Sequence, residues 1–329
     1  MKIAFFNSKQ YDQEYFDRAN SDGAHQIRYF SPRLNLDSTS LVTDEKVVCA
    51  FINDSLDAQV LHQLKNKGVE LIALRSAGFN HVDIACAKQL SLPVVRVPAY
   101  SPYAVAEHAV GLMLCLNRGI HRAHNRIREG DFSLRNLMGF DLHGKTVGVI
   151  GTGKIGQAFA NIMLGFGCKV IAYDVVQNEQ CIQSGVTYAS LDNLLSQADV
   201  ISLHCPLTPE TYHLIDLEAV AKMRDGVTII NTSRGKLVDT KAIINALKTG
   251  KVGLLGLDVY EEEEALFFED FSAKGIQDDL LARLTTFPNV IITSHQGFFT
   301  QEAMLNIAQT TLSNISQFEQ DGSIQNGVI

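Results

Sequence analysis

From Lys2 to about Tyr100 the chain alternates short apolar runs with stretches of helical periodicity. Residues 3–6, 27–30, 47–52, 71–74 and 94–97 are apolar and β-rich and read as strands. Residues 10–19, 58–67 and 82–89 place apolar side chains at helical intervals and read as helices. Strands separated by helices cannot be joined as hairpins, so the pattern predicts βαβ units and a mostly parallel sheet.

Ser101-Pro102 then supplies a capping residue followed by proline at the first helical position. With no further proline before Gly130, one long helix is expected over 101–128. A second alternating series follows: 145–150, 155–166, 169–173, 200–203, 227–231, 240–249, 252–257 and 290–293. It predicts a second doubly wound unit. Met304, Ile307, Ala308, Leu312, Ile315 and Phe318 recur at helical spacing, so a helix over 301–320 closes the chain. The expected fold class is α/β with two doubly wound domains.

A chain of 329 residues with 46% hydrophobic content is long enough for two cores. The formal charge of −8, without a basic tail or stripe, argues against nucleic acid as a partner. The apolar start is too short for a signal-peptide core and no later run approaches a membrane span, so a cytoplasmic protein without a membrane partner is expected. The six cysteines show neither CxxC nor Cys/His ligand spacing, and reduced thiols with no metal site are expected.

Gly151-Thr152-Gly153-Lys154-Ile155-Gly156 follows an apolar strand and opens a helical pattern. In that context Gly151 permits a tight turn, Gly153 lets the backbone approach a pyrophosphate, and Gly156 lets the helix pack on the strand. The N–H groups of Lys154 and Ile155 then face the phosphates. The next strand ends in Asp174, whose carboxylate can accept ribose hydroxyls and repel a 2′-phosphate, so NAD is expected rather than NADP.

Arg234 and His295 each follow an apolar strand, at the edge where open α/β sheets place ligands. A guanidinium can clamp a carboxylate through two parallel hydrogen bonds, and an imidazole can carry a proton between hydroxyl and carbonyl. Glu261, Glu262, Glu263 and Glu264 follow Asp258-Val259-Tyr260. Four successive glutamates suggest a solvated loop, and that is expected for all but one of them.

These pieces, with Arg75-Ser76-Ala77-Gly78-Phe79-Asn80, Pro98-Ala99-Tyr100-Ser101-Pro102, His204-Cys205-Pro206-Leu207-Thr208 and Asn231-Thr232-Ser233-Arg234-Gly235, resemble the D-2-hydroxyacid dehydrogenase family, and within it the fermentative D-lactate branch. The resemblance implies a catalytic trio: Arg234 binding the substrate carboxylate, His295 as acid/base and Glu263 orienting it. It also implies that Val105, Cys205, Pro206, Thr232 and Asp258 help hold the cofactor, and that Tyr100, Ala77, Gly78 and, more loosely matched, Phe298 border the substrate. It implies a flavodoxin-like substrate domain split over 1–100 and 298–329, with a Rossmann NAD-binding domain over 101–297 inserted in it.

The activity implied is NADH-dependent, reversible reduction of pyruvate to D-lactate. The substrate would be a small 2-keto or 2-hydroxy acid, and the family together with the apolar stretch 105–116 suggests a homodimer or homotetramer. Two alternatives stand beside it. One is a D-2-hydroxyacid dehydrogenase of the hydroxyisocaproate or hydroxypyruvate type; the other is an NAD-sensing corepressor-like binding protein.

Overall fold

The computed structural model describes residues 1–263, 266–268 and 270–328. Glu264 of the acidic run, Ala265, Glu269 and Ile329 lie outside the described residues. The chain forms two compact units, Met1–Ser101 with Phe298–Ile329, and Pro102–Gly297.

The first unit is built from β1 (Lys2–Phe5), α1 (Gln10–Ala19), β2 (Gln26–Tyr29), β3 (Val47–Ala50), α2 (Ala58–Asn66), β4 (Leu71–Leu74), α3 (Ile84–Gln89) and β5 (Val94–Val95). Its strands run parallel in the order β2-β1-β3-β4-β5. β3 and β4 are buried at every position, as expected for central strands covered on both faces. On one face Ala4, Val48 and Ile72 pack with Leu61, Leu64 and Ala87. On the other, Ile3, Phe5 and Ala73 pack with Met304, Ile307, Ala308 and Leu312 of the closing helix, Gln301–Asp321. Periodicity alone could not say where that helix docks; its apolar stripe covers this sheet. Thr300 caps its start by accepting from the Ala303 N–H, and Gly322 ends it in a left-handed conformation.

The second unit opens with α4 (Pro102–Asn117) and α5 (Ile120–Arg128), so the single helix expected over 101–128 is in fact two. Gly119, at φ +56, breaks it. Asn117 also turns away: its Nδ2 donates to the Phe140 carbonyl and its Oδ1 accepts from the Phe140 N–H. Then follow β6 (Thr146–Ile150), α6 (Lys154–Gly165), β7 (Lys169–Tyr173), α7 (Glu179–Gln183), β8 (Thr187–Tyr188), α8 (Leu191–Gln197), β9 (Val200–Leu203), α9 (Leu217–Lys222), β10 (Val227–Asn231), α10 (Thr240–Thr249), β11 (Val252–Leu257), α11 (Asp279–Thr285) and β12 (Val290–Ile292).

These strands form one parallel sheet in the order β12-β11-β10-β9-β6-β7-β8. β6 pairs with β7 on one side and β9 on the other, so the strand order reverses there and leaves a crevice at their carboxyl ends. α4 lies against α6, β10 and β11, with Ala106, Ala109, Leu112, Met113 and Leu116 buried in its own unit. Its apolar character is therefore explained within the chain and does not by itself point to a second copy. Among the described residues, no helix is long and apolar enough to cross a membrane.

Candidate active site

The glycine loop sits at the reversal between β6 and β9. Gly151 has φ +94, and a Cβ there would lie 2.5 Å from the Cys205 nitrogen; one on Gly156 would lie 1.9 Å from the Gly151 carbonyl oxygen. Both positions exclude any side chain. Gly153 is different, because a Cβ there would meet nothing within 4 Å. It begins α6 with no side-chain cap, so the N–H groups of the first helical turn, at Lys154 and Ile155, open onto a space that a phosphate could fill.

At the end of β7, Asp174 Oδ2 accepts from the Thr152 N–H at 2.5 Å and from the Thr152 hydroxyl at 3.1 Å. The carboxylate is thereby tied to the glycine loop. Cys205 is buried and its thiol pushed up to about 11, so it offers main chain rather than sulfur chemistry; its carbonyl accepts from the Ser233 hydroxyl at 2.6 Å. Pro206 follows it and accepts from the Thr211 hydroxyl at 2.7 Å. Thr232 Oγ1 is buried with no hydrogen-bond partner among the described residues, and Val105 is buried on α4. An open glycine, an uncapped helix start and an orphaned hydroxyl fit a bound dinucleotide. Among the described residues no cluster of His, Cys, Asp or Glu could hold a metal ion.

Arg234 leaves β10 through a turn that Asn231 organises, its Nδ2 donating to the Arg234 carbonyl at 2.8 Å and its Oδ1 accepting from the Ser233 N–H at 3.0 Å. The guanidinium donates through Nη1 to the Ser233 carbonyl at 2.7 Å and has no carboxylate partner among the described residues. It keeps donors for an anion.

His295 follows β12. Its Nδ1 lies 2.9 Å from Glu263 Oε1, while Glu263 Oε2 accepts from the Tyr260 N–H at 2.9 Å. One carboxylate therefore holds both the imidazole and its own turn. The Nε2 face has no partner among the described residues. His295 adopts φ +53, a conformation that costs a non-glycine residue about 1–3 kcal/mol. The surrounding bonds hold it there, since its N–H donates to the Asp258 carbonyl at 2.7 Å.

Asp258 is 1% exposed, and its carboxylate accepts from the Thr293 hydroxyl at 2.6 Å and from the N–H groups of Gln296 and Gly297 at 2.9 and 2.8 Å. His108 Nε2, on α4, approaches it at 3.2 Å. Burial pushes the carboxyl up, but the hydrogen bonds from His108 and Thr293 outweigh it and hold Asp258 below the ordinary carboxylate value. Asp258 thus fixes the main chain of His295 and of the two residues after it, together with the side chain of Thr293 before it. Motif spacing could not reveal the contributions of His108 and Thr293, because each lies far from Asp258 in sequence.

Tyr100, Ala77, Gly78 and Phe298 all belong to the first unit. The Tyr100 and Phe298 rings meet at 6.1 Å between centroids. The Ala77 carbonyl accepts from Arg96 Nη1 at 2.7 Å, and the Gly78 carbonyl from the Ser76 hydroxyl at 2.9 Å.

The acidic run is not uniformly solvated. Glu262 is exposed, but Glu261 takes His213 Nε2 at 2.6 Å through Oε1 and the Thr240 hydroxyl at 2.7 Å through Oε2. The solvated-loop expectation fails for Glu261, whose partners come from distant segments.

Residues 110–297 match the family described as D-isomer specific 2-hydroxyacid dehydrogenase, NAD binding domain. Over its full length the chain is 50% identical to the D-lactate dehydrogenase of Escherichia coli strain K12, all of which is covered. It is 51% identical to a 2-hydroxyacid dehydrogenase homolog of Haemophilus influenzae, with 100% of this chain and 99% of the relative covered. A solved structure of the pyruvate reductase of Chlamydomonas reinhardtii superposes with a TM-score of 0.94 at 41% identity, covering 99% of this chain and 98% of the other. The crevice geometry and these similarities lead to one conclusion: the chain belongs to the D-isomer specific 2-hydroxyacid dehydrogenase family, whose NAD-binding-domain model matches most of its second unit.

Proposed function

We propose that the protein reduces pyruvate to D-lactate with NADH, reversibly. The observation that carries this reading is the 2.9 Å contact of Glu263 with His295 Nδ1, in the unit that also presents an uncommitted Arg234. The likeness to a D-lactate dehydrogenase and to a pyruvate reductase supports the choice of substrate.

Bound NADH supplies the hydride. Gly151, Gly153, Gly156, Lys154 and Ile155 would hold its pyrophosphate, Asp174 its ribose, and Val105, Cys205, Pro206, Thr232 and Asp258 the remainder. Arg234 grips the substrate carboxylate, which fixes the keto carbon and oxygen in one plane. Protonated His295 donates from Nε2 to the oxygen as negative charge develops there. Glu263 holds the ring through Nδ1, which keeps Nε2 turned toward the proton's path. In the reverse direction the same imidazole accepts the hydroxyl proton. The first unit acts as the substrate domain, with Tyr100, Ala77, Gly78 and Phe298 bordering the substrate.

A second copy of the chain is the proposed partner, in a homodimer or homotetramer. The segment after α5 leaves Phe132, Leu134 and Met138 exposed at 76, 83 and 98%, a density of bare apolar side chains that suits an interface. All six cysteines are free, in keeping with a reducing, cytoplasmic setting.

The test is NADH oxidation with pyruvate, glyoxylate, hydroxypyruvate and 2-ketoisocaproate, with chiral analysis of the product. Preferential turnover of pyruvate to the D isomer is expected. Preference for another keto acid would move the substrate but keep the mechanism, and NADH binding without turnover would overturn the enzymatic reading.

A further inference from the structure

Arg234 and Glu263 lie on separate turns of the second unit, yet the two turns are in direct backbone contact. A Cβ on Gly235 would lie 2.0 Å from the Tyr260 carbonyl atoms, so the turn after Arg234 is pressed against the turn that begins at Tyr260. His213 belongs to neither turn and touches both. Its N–H donates to the Lys236 carbonyl at 2.9 Å, and two residues on, the Ile215 N–H donates to the Leu237 carbonyl at 2.9 Å. Its imidazole Nε2 meets Glu261 Oε1 at 2.6 Å. Glu261 in turn accepts from the Thr240 hydroxyl and N–H, at the start of α10.

His213 holds φ +51, a left-handed conformation a histidine adopts only when its surroundings dictate it. Tyr212 stacks on the ring at 4.0 Å between centroids. On either side of Glu261, the Tyr260 N–H donates to Glu263 Oε2 at 2.9 Å, so one hydrogen bond ties the two ends of the segment 260–263 together.

We propose that His213 is a positioning residue for the reaction: through Glu261 it fixes the turn that sets Glu263 against His295. The inference rests on the function proposed above. Its two halves are separable by substitution. The main-chain bond to the Arg234 turn survives any side-chain change at 213, whereas the imidazole–carboxylate contact does not. Loss of the ring therefore loosens Glu263 and leaves the Arg234 clamp in place. A displacement of about 1 Å in a positioned group can cost about 10²-fold.

The test compares H213A, H213Q and E263Q with the parent and with the H213A/E263Q double variant. In H213A, kcat with pyruvate falls ~10- to 10²-fold while KM for pyruvate is little changed. H213Q keeps an N–H donor and the same backbone strain, and recovers most of the loss. In the E263Q background, H213A costs little more, since the group it positions is already gone.

A second readout needs no turnover. The proton shared by His295 Nδ1 and Glu263, assigned in the NMR spectrum by its absence from H295Q, broadens or disappears in H213A and persists in H213Q. An unchanged resonance in H213A overturns the proposal whatever the substrate is, and so does an equal loss of kcat in both backgrounds. A parent that shows the resonance and its loss in H213A, but turns over no keto acid, leaves the positioning role standing and overturns the proposed function instead.

Discussion

Glu263 and His295 meet at 2.9 Å although each ends a different segment of the second unit, one following β11 and the other β12. Parallel neighbours in a sheet deliver their carboxyl ends to the same edge, so two residues distant in sequence become a pair without any local signal between them.

Replacing His295 by Gln removes the proton donor and keeps the volume. General acid catalysis of this kind contributes ~10²–10⁴-fold, and kcat should fall by that order with NADH affinity intact. Replacing Glu263 by Gln keeps a hydrogen-bonding group beside Nδ1 but deletes its charge. The imidazole then loses the carboxylate that orients it, so kcat should fall, though by less than on loss of the ring itself. Pre-steady-state and steady-state rates check both; a Glu263→Gln variant that turns over at the parent's rate would sink the assigned role.

Arg234 should separate from this pair kinetically. Lysine keeps the charge but loses the planar fork, and a hydrogen bond to a charged group is worth about 1.5–3 kcal/mol. Arg234→Lys should therefore raise KM for pyruvate by roughly 10- to 10²-fold. Isothermal titration with the unreactive analogue oxamate in the presence of NADH reads the same loss as binding. Unchanged oxamate affinity would remove Arg234 from carboxylate recognition.

Much of this site is legible before any coordinates. The apolar runs that end at Ile150 and Asn231 are buried central strands, which must be apolar at consecutive positions, and the run that ends at Ile292 is the half-buried edge strand beside them. The residues that follow them must then lie at one edge. What composition hides is partnership across the sheet. Glu261 looks like its neighbours in an acidic run until His213 is brought to it, and Asp258 gives no sign of the four donors gathered on it. β8 has only two residues, Thr187 and Tyr188, too few to carry a period. The break at Gly119 also escapes a periodicity argument, because Asn117 is drawn off by hydrogen bonds to Phe140, across a loop.

The glycine loop makes a prediction in which stability and binding part company. Gly156→Ala places a methyl 1.9 Å from the Gly151 carbonyl oxygen, so it should unfold the unit or lower its Tm by several degrees. Gly153→Ala places its methyl in open space, so Tm without ligand should hold within a degree or two, the shift of a substitution worth under ~0.5 kcal/mol. If that space belongs to the pyrophosphate, NADH affinity should nevertheless fall. Calorimetry and NADH fluorescence titration measure the two effects. Normal NADH binding by Gly153→Ala would show that the phosphates do not approach there.

His204 closes β9 next to the glycine loop and is buried against Phe159, its ring Nε2 meeting the Ser202 hydroxyl at 2.9 Å while Nδ1 has no partner among the described residues. Burial lowers it from 6.5 to about 3, so the folded chain keeps this ring neutral where the unfolded chain would protonate it. Between those values the unfolded state binds the extra proton, and stability falls as the pH falls. The slope per proton is about 1.4 kcal/mol per pH unit, present below 6.5 and ending near 3. Buried His81, in the first unit, is lowered to about 4 and acts in the same direction there. Urea unfolding of the parent between pH 7.5 and 4.5 should thus show midpoints that drop below pH 6.5. His204→Gln cannot take up that proton, and its midpoint should fall less steeply than the parent's over the same range. Parallel pH dependences for the two proteins would mean that His204 is not the group linking acid to unfolding of the second unit.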